Sequence, residues 1–430
     1  MVAKIFDTYR NAYAGLPRAI WLLSLIMLIN RAGTMVIIFF VLYLTDVFDF
    51  SNQLAGWIIS FSAVGGLLGA LFGGWMSDRF GSIQSQILLL ALVGIQFFAM
   101  LLATTLASVT VMLFVLMFLG ESVRPGLHAA CLDYSEPENQ KRSMGLLRLA
   151  INLGMAIGPV LGGLLAQFGL WNWLFILDGA TCIFSALLLY LVFGFGRVSH
   201  GSLKPARMES GDGKTLEAES KSHPSRQVVS RSPWRDRRML SFGFFYLLIL
   251  IVFVQFGSTF VKFLQEVHGM AESQIGLLSS INPILIVVVE MVIIKSLERH
   301  STLKTIAVGA FLICLGFGSL AFAPTAWFCI LPVVILTFGE IFAFPLTAAY
   351  AAEMSNESNR GQYMGFITVM FSIAMIIGPV LGLSLYEIDP NLPWYAALGV
   401  GVITSACLWK MASPEENSAR IPAKLAELKD

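Results

Sequence analysis

Long apolar blocks alternate with short polar connections along most of this chain. A helix needs about 20 apolar residues to cross a bilayer, and each block is at least about that long. The polar connections are short, as expected between neighbouring antiparallel helices. The pattern therefore predicts twelve membrane-spanning helices, at residues 19–43, 54–76, 84–105, 109–134, 143–168, 171–196, 238–264, 274–297, 304–323, 327–354, 361–386 and 392–412.

One long stretch differs from the rest in composition. Residues 197–237 are rich in Ser, Lys, Glu and Gly and contain few aromatic residues, so they lack the apolar surface needed for a packed core. We interpret this stretch as a cytoplasmic linker without a fold of its own. It separates an N-terminal six-helix bundle, residues 1–196, from a C-terminal one, residues 238–413, and residues 414–430 form a cytoplasmic tail.

Composition excludes several classes of function. Of the 430 residues, 57% are hydrophobic and 13% are charged, whereas soluble domains carry about 25% charged residues. The net charge of +1 argues against nucleic-acid binding, which needs a basic face. There is no phosphate-binding G-x-x-x-x-G-K-[ST] loop, and the five cysteines lack metal-ligand spacing. We therefore expect neither an enzyme nor a bound metal or cofactor.

Basic residues set the predicted orientation. Lys and Arg collect in alternate connections and are almost absent from the others, and cytoplasmic loops carry this excess. We predict a multi-pass protein of the cell inner membrane with both termini in the cytoplasm, acting as a monomer. The basic residues on the predicted cytoplasmic side include Lys4, Arg10, Arg18, Arg79, Lys141, Arg142, Lys295, Arg299, Lys304 and Arg360.

The two halves of the chain repeat each other at an offset of about 220 residues. The sequence Gly-Pro-Val-Leu-Gly at 158–162 recurs at 378–382, and Gly56 corresponds to Gly276. The pair Gly120-Glu121 recurs as Gly339-Glu340. Repeats of this kind place the substrate site between the two bundles, near the middle of the membrane.

The connection after the second span carries a recognisable motif. Gly74-Trp-Met-Ser-Asp78-Arg79-Phe-Gly81 resembles the G-x-L-A-D-R-x-G-R-[RK] signature of the major facilitator superfamily. The resemblance implies two pseudo-symmetric six-helix bundles, an all-α membrane fold, and a cytoplasmic lock formed by Gly74, Asp78, Arg79 and Gly81. Ser82-Ile83 replaces the final basic pair of the signature, which implies a weaker lock.

A second motif lies in the fifth span. Gly154, Gly158, Pro159 and Gly162 are similar to the motif of the antiporter branch of that superfamily, which contains the drug exporters. Small residues at every fourth position also let two helices approach closely, so the motif has an alternative interpretation as a packing face. Its partial recurrence at 378–382 favours that alternative.

The first span offers a competing likeness. Asn30-Arg31, followed by Tyr43, looks like a reduced form of the E-x-x-E-R motif of proton-coupled peptide transporters, with both glutamates missing. The drug exporters often carry an arginine early in the fourth span, where this chain has Leu116. Neither branch is matched in full.

Charged residues inside the spans are candidates for function because burying a charge in a bilayer is costly. Arg31 lies roughly 18 Å into its span at 1.5 Å per residue, and Glu121 and Glu340 lie at comparable depth. The resemblance implies that spans one, four, seven and ten line the cavity. We predict proton coupling at Glu340, Glu121 and Glu290. We predict substrate binding at Arg31, Asn30, Arg124, His128, Gln255, Tyr43 and Phe260.

Other interpretations remain open for several of these charges. Glu121 and Arg124 lie one helical turn apart and can form a static pair, and Glu290 is either a proton site or a partner of Lys295. We expect Arg148 to extend to the cytoplasmic surface. Asp178 is expected to serve helix packing or a cap-like hydrogen bond, while Lys262 and His268 are expected to be solvated at the outer rim.

These observations predict a secondary transporter that works by alternating access, with protons, a small organic substrate and the lipid bilayer as its partners. The first hypothesis is proton-driven efflux of amphipathic organic compounds. The second is proton-coupled uptake of a small zwitterion such as a peptide. The third, a receptor or scaffold that does not transport, leaves the Asp78-Arg79 motif and the buried charges unexplained.

Overall fold

A computed structural model describes residues 13–194, 232–297, 300–356 and 359–412, with only the backbone described at 294 and 295. Most of the predicted linker, the whole predicted tail, Lys4, Arg10, Arg299 and the side chain of Lys295 lie outside this description. The last six residues of the predicted linker are described. They include a short 3-10 turn, Pro233–Arg235, directly before the seventh span.

The twelve predicted spans are confirmed. Across the described residues, twelve helices are long and apolar enough to cross a membrane, and each overlaps one predicted block. They are α1 Arg18–Val47, α2 Asn52–Phe80, α3 Ser82–Met100, α4 Leu106–Asp133, α5 Pro137–Gln167, α6 Trp171–Phe193, α7 Arg237–Gly257, α8 Glu272–Ile293, α9 Thr302–Phe322, α10 Ala326–Met354, α11 Arg360–Ile388 and α12 Leu392–Met411. A further helix, Thr259–Glu266, continues α7.

The spans are antiparallel, so successive connections lie at alternate ends of the bundles. We call the end that carries Asp46, predicted to face outwards, the Asp46 end. The other is the Asp78 end. Within each half the helices approach closely at small residues. In the N-terminal half, a side chain at Gly69 or Gly73 of α2 would collide with the α4 backbone at Phe118 or Ser122.

The two bundles meet through two equivalent pairs of helices, α5 with α8 and α11 with α2. In the first pair, Gly276 of α8 packs against the backbone of Pro159. In the second, Gly56 of α2 packs against the backbone of Pro379, where an added Cβ would lie 3.1 Å from the carbonyl oxygen. These residues are related by the same 220-residue offset, so the internal repeat in the sequence corresponds to a repeated contact between the bundles.

Two helices are interrupted partway along: α1 at residues 33–35, and α7 with its continuation at residues 254–258. The first segment of α1 ends at Ala32 and the next begins at Val36. The buried carboxylate of Asp178, in α6, accepts hydrogen bonds from the backbone N–H groups of Met35 at 3.0 Å and Val36 at 3.1 Å. This confirms the predicted cap-like role of Asp178, since the first N–H groups of a helix segment have no partner within the helix.

The bundles are tied together at the Asp46 end. Lys262 Nζ lies 3.0 Å from Glu266 Oε1, in its own helix, and 3.4 Å from Asp46 Oδ1 of the other bundle. It also donates to Thr45 Oγ1 at 3.0 Å. Glu387 accepts a hydrogen bond from the backbone N–H of Gln53 at 2.8 Å.

The prediction of solvated rim charges was therefore wrong. The Lys262 side chain is only 7% exposed, because the two bundles close over it. His268 is half-buried with its ring against Phe263, and burial lowers the pKa of His268, which favours the neutral imidazole.

Candidate functional site

A cavity of about 80 Å³ opens inside the N-terminal bundle, between α1, α3, α4 and α6. Its polar lining includes three residues predicted from the sequence, Asn30, Arg31 and Glu121. Much of the remaining wall is apolar, with contributions from Phe40, Phe97, Leu90, Val93, Leu116 and Met117. The cavity thus combines a few charged groups with an apolar interior, as ligand pockets commonly do.

The interruption of α1 forms one wall of this cavity. Gly33 and Thr34, at the break, line it together with Asp178 and Cys182 of α6. The carboxylate of Asp178 is engaged by the α1 backbone, and Asn30 Nδ2 donates to Cys182 Sγ at 3.3 Å. The polar groups on this wall are therefore already used to hold α1 against α6.

Arg31 is the exception among these polar groups. Its Nε atom is buried and has no hydrogen-bond partner among the described residues. Gly154 of α5 packs against the Arg31 Cβ, where an added Cβ would come within 2.6 Å, so the base of the side chain is held in place. A buried donor without a partner is costly, and a ligand acceptor in the cavity would relieve that cost.

Glu121 and its stripe on α4 divide between the cavity and solvent. Glu121 lines the cavity and pairs with Arg124 at 3.1 Å, with side-chain exposures of 35% and 52%. Exposed ion pairs of this kind contribute about 0–1 kcal/mol, so this pair is available for exchange. Arg124 and His128 are exposed towards the Asp78 end and do not line this cavity.

Glu340 lies in the other bundle, about halfway along α10. Its Oε2 accepts a hydrogen bond from Asn282 Nδ2 of α8 at 2.8 Å, and Asn282 also donates to Thr337 Oγ1 at 3.0 Å. Among the described residues Glu340 forms no ion pair of 4 Å or less. The carboxylate is therefore held by a neutral amide.

Glu290 and Arg148 form an ion pair between the bundles. Arg148 Nη2 of α5 lies 2.7 Å from Glu290 Oε1 of α8. The N–H direction is not aligned for a hydrogen bond, so the attraction is that of an ion pair. The expectation that Arg148 merely reaches the membrane surface was wrong, since its charge is engaged by Glu290.

Three predicted substrate-binding residues lie instead in packed regions. Gln255 donates to the backbone oxygens of Ile251 and Gly378 and accepts from Thr259, so its amide is fully engaged across the α7 interruption. Phe260 is fully buried in the core of the C-terminal half, and Tyr43 is 5% exposed against Phe175. The sequence predicted the helices that carry these residues, but not the side of the helix on which each side chain lies.

The glycine motif of α5 packs on α1 around its interruption. Gly154 contacts the backbone at Leu28 and Ala32, Gly158 contacts Thr34, and Gly162 contacts Met35. Pro159, on another side of α5, contacts Gly276 of α8. In the second half, Gly378 and Gly382 pack on Val254 and Gln255 at the interruption of α7.

The motif after α2 is exposed at the Asp78 end. Gly81 has a φ of +94°, which allows the tight turn from α2 into α3, while Gly74 faces open space. Asp78 and Arg79 are exposed, and the Arg79 guanidinium lies 5.6 Å from the centre of the Trp75 ring. In the described residues, no hydrogen bond or ion pair joins Asp78 or Arg79 to the C-terminal bundle, so the predicted lock is not engaged in this conformation.

Sequence reasoning missed Asn282, Lys262 and the ion-pairing of Arg148. Each is a polar residue in an otherwise apolar stretch, and that signal was visible in the sequence. Their partners lie 58, 216 and 142 positions away, and spacing along one helix carries no information about contacts at such separation.

Comparison with known proteins agrees with this architecture. A family model described as Major Facilitator Superfamily matches residues 23–347 and, in a second match, 256–429. An uncharacterized MFS-type transporter, YttB, of Bacillus subtilis (strain 168) is 24% identical over 370 residues, which cover 85% of this chain and 88% of the relative. Multidrug resistance protein 2 of the same organism is 24% identical over 380 residues, covering 84% and 87%.

A solved structure shares the fold. The crystal structure of a POT family transporter in complex with 5-aminolevulinic acid superposes with a TM-score of 0.74 at 15% identity, covering 94% of this chain and 98% of the other. Twelve apolar helices, two bundles with repeated contacts, and a family model that matches most of the length lead to one conclusion: the chain belongs to the Major Facilitator Superfamily of membrane transporters.

Proposed function

We propose that this protein is a proton-coupled exporter of amphipathic organic compounds in the cell inner membrane. The observation that carries the proposal is the environment of Glu340, a carboxylate inside the membrane held by the neutral amide of Asn282. A carboxylate in such a place is a functional candidate by default, and it can take up and release a proton without first breaking an ion pair.

The substrate site in this proposal is the cavity in the N-terminal bundle. Arg31 and Glu121 present opposite charges, and the wall formed by Phe40, Phe97 and their neighbours accepts an apolar group. The chemistry of this lining suits a compound with a polar head and an apolar body. The cavity of about 80 Å³ would have to widen to admit one, since ligand pockets usually measure about 300–1,000 Å³. A substrate that binds Glu121 would displace Arg124 from it, and the Arg124 guanidinium would then be free.

One relative of this chain and one of its sequence motifs favour export over import. Its relative in Bacillus subtilis is called a multidrug resistance protein, and the glycine motif of α5 is similar to that of the antiporter branch. We place both termini in the cytoplasm because Lys and Arg collect in the connections at the Asp78 end. Labelling of engineered cysteines by an impermeant thiol reagent in intact cells tests that orientation.

A second candidate is uptake of a small zwitterion. It is favoured by the buried Nε of Arg31, which has no described partner and suits the carboxylate of such a substrate. In this alternative Arg31 binds the carboxylate, while in the exporter it balances the charge of Glu121.

Proton flux in proteoliposomes separates the two. The purified protein is reconstituted around a pH-sensitive dye, and lipophilic cations or di- and tripeptides are added under a pH gradient. Exchange, in which protons leave the compartment that the substrate enters, supports the exporter. Protons that move in the same direction as an added peptide support uptake instead.

The same assay tests Glu340. We expect Glu340→Gln to abolish proton-coupled flux, because the amide cannot take up a proton, while Glu138→Gln, at the exposed beginning of α5, retains it. Full coupled transport by Glu340→Gln would remove this residue from the mechanism.

A further inference from the structure

The ion pair between Arg148 and Glu290 lies at only one of two equivalent interfaces. The α5–α8 and α11–α2 contacts share the same glycine and proline packing, at Gly276 with Pro159 and at Gly56 with Pro379. At the 220-residue offset, however, Arg148 corresponds to Thr368 and Glu290 corresponds to Ala70. Among the described residues, the second interface thus holds the bundles together without a charge pair.

Stability is therefore a weak explanation for the pair. The Glu290 side chain is 13% exposed and that of Arg148 is 44% exposed, so the carboxylate gives up most of its hydration. The cost of taking charges out of water often exceeds the attraction they gain. The other interface has the same glycine and proline packing with the neutral residues Thr368 and Ala70 at the equivalent positions, which points to a role for charge itself.

The pair is also connected to the proposed proton site. Arg148 and Glu290 both lie close enough to Glu340 to interact with it electrostatically. Asn282, which binds Glu340, lies on α8 roughly 12 Å along the axis from Glu290. Arg148 of the N-terminal bundle thus pairs with Glu290 and lies within electrostatic range of Glu340, both in the C-terminal bundle.

We propose that Arg148 is a positioning residue that couples the protonation of Glu290 to the separation of the two bundles. When Glu290 takes up a proton it becomes neutral, its attraction to Arg148 is lost, and α5 is released from α8 towards the Asp78 end. The charged groups that face Glu290 are Arg148 from α5 and Glu340 from α10; Lys295, on the same helix, has a side chain outside the described residues. The proposal rests on the proposed proton-coupled function.

A distance measurement tests it without substrate or gradient. Glu138 and Gln362 are exposed at the Asp78 end, one in each bundle. Replacing both with cysteine, in a background without the five native cysteines, allows spin labels to report the separation of the bundles in liposomes between pH 5 and 8. We expect the distance to lengthen on acidification in the otherwise unaltered protein.

Variants then test whether the ion pair between Arg148 and Glu290 causes this change in distance. Glu290→Gln and Arg148→Gln should show the long, acid distance at every pH, since neither can form the ion pair. Arg148→Lys should keep the pH-dependent change, as should the control Lys141→Gln, which removes an exposed charge from the beginning of α5. The exchanged pair Arg148→Glu with Glu290→Arg should restore the short distance at neutral pH, which a general loss of folding would not do.

The proposal is overturned if the unaltered protein shows no change in distance with pH, or if Arg148→Gln and Glu290→Gln keep the normal change. Because the readout needs no transport, it is independent of the proton-flux assay. If the distances change as expected but no coupled flux is seen, the proposed function is rejected and the role of Arg148 stands. If coupled flux is seen but the distances do not change, the proposed function stands and the role of Arg148 is rejected.

Discussion

At the scale of single residues, the strongest determinant of local structure is Asp178. Two backbone N–H groups at the interruption of α1, those of Met35 and Val36, donate to this one carboxylate at 3.0 and 3.1 Å. The Met35 N–H also donates to the backbone oxygen of Gly33 at 2.9 Å. In the membrane interior no water is available to replace it. A residue of α6 therefore decides whether α1 can bend beside Arg31.

Removal of this acceptor gives a direct test. We expect Asp178→Ala to destabilise the protein by about 1–3 kcal/mol, because the Val36 N–H loses its acceptor whereas the Met35 N–H keeps the backbone oxygen of Gly33. Asp178→Asn keeps one acceptor oxygen and should lose less. Thermal unfolding in detergent, followed by the loss of monodisperse protein, ranks the two variants. An Asp178→Ala protein as stable as the original would contradict the capping role.

At the scale of helices, packing between spans depends on glycines at specific contacts. Gly158 of α5 faces the backbone of α1, where an added Cβ would lie 2.6 Å from the carbonyl oxygen of Thr34. Backbone atoms cannot rotate away as a flexible side chain can. The motif therefore holds α5 against α1, and the packing interpretation of its glycines is the one with direct contacts to support it.

This contact makes a matched pair of substitutions informative. Gly158→Ala should destabilise the protein by about 1–3 kcal/mol, the usual cost of overpacking. Gly365→Ala, in the equivalent helix α11, should be neutral because nothing lies within 4 Å of the added carbon. The thermal stability of the two variants is compared. If Gly158→Ala is as stable as Gly365→Ala, α1 and α5 can move apart without cost and the predicted clash is wrong.

At the scale of the whole molecule, the two bundles are joined at the Asp46 end. At the other end, no hydrogen bond or ion pair among the described residues joins Asp78 or Arg79 to the C-terminal bundle. Lys262 is central to the joined end because it faces Asp46 across the interface and Glu266 on its own side. Without this lysine, two carboxylates face each other with no cation between them. The expected result is repulsion between the bundles.

We therefore predict that Lys262→Gln opens the Asp46 end. Spin labels at residues 168 and 388, both exposed at that end, should move apart in this variant. The control Lys304→Gln removes a lysine at the Asp78 end, over the Trp409 ring, and should leave the distance unchanged. An unchanged distance in Lys262→Gln would mean that apolar packing alone closes this end.

The sequence predicted the helices of this protein better than it predicted the contacts between them. The number of spans and their approximate bounds followed from the apolar blocks, because a bilayer leaves a single chain segment few options other than a helix. The repeat followed from matching residues at an offset of about 220, and the position of Arg31, Glu121 and Glu340 within their helices followed from the apolar blocks around them.

Tertiary structure alone decided which of these residues meet. Gln255 and Arg31 each lie beside the interruption of their helix. Gln255 is engaged by the α11 backbone, whereas the Nε of Arg31 lies buried without a partner in the part of the chain that the structure describes. In the sequence Arg148 and Lys262 resemble surface charges. In the structure each is paired with a carboxylate of the opposite bundle, Glu290 and Asp46 respectively. An apolar span does not reveal from its own sequence which face meets which neighbour, because nearly every face is hydrophobic whether it contacts lipid or protein. The sequence by itself therefore determined the helices and the internal repeat, and the packing of the two bundles determined the partners of each charge.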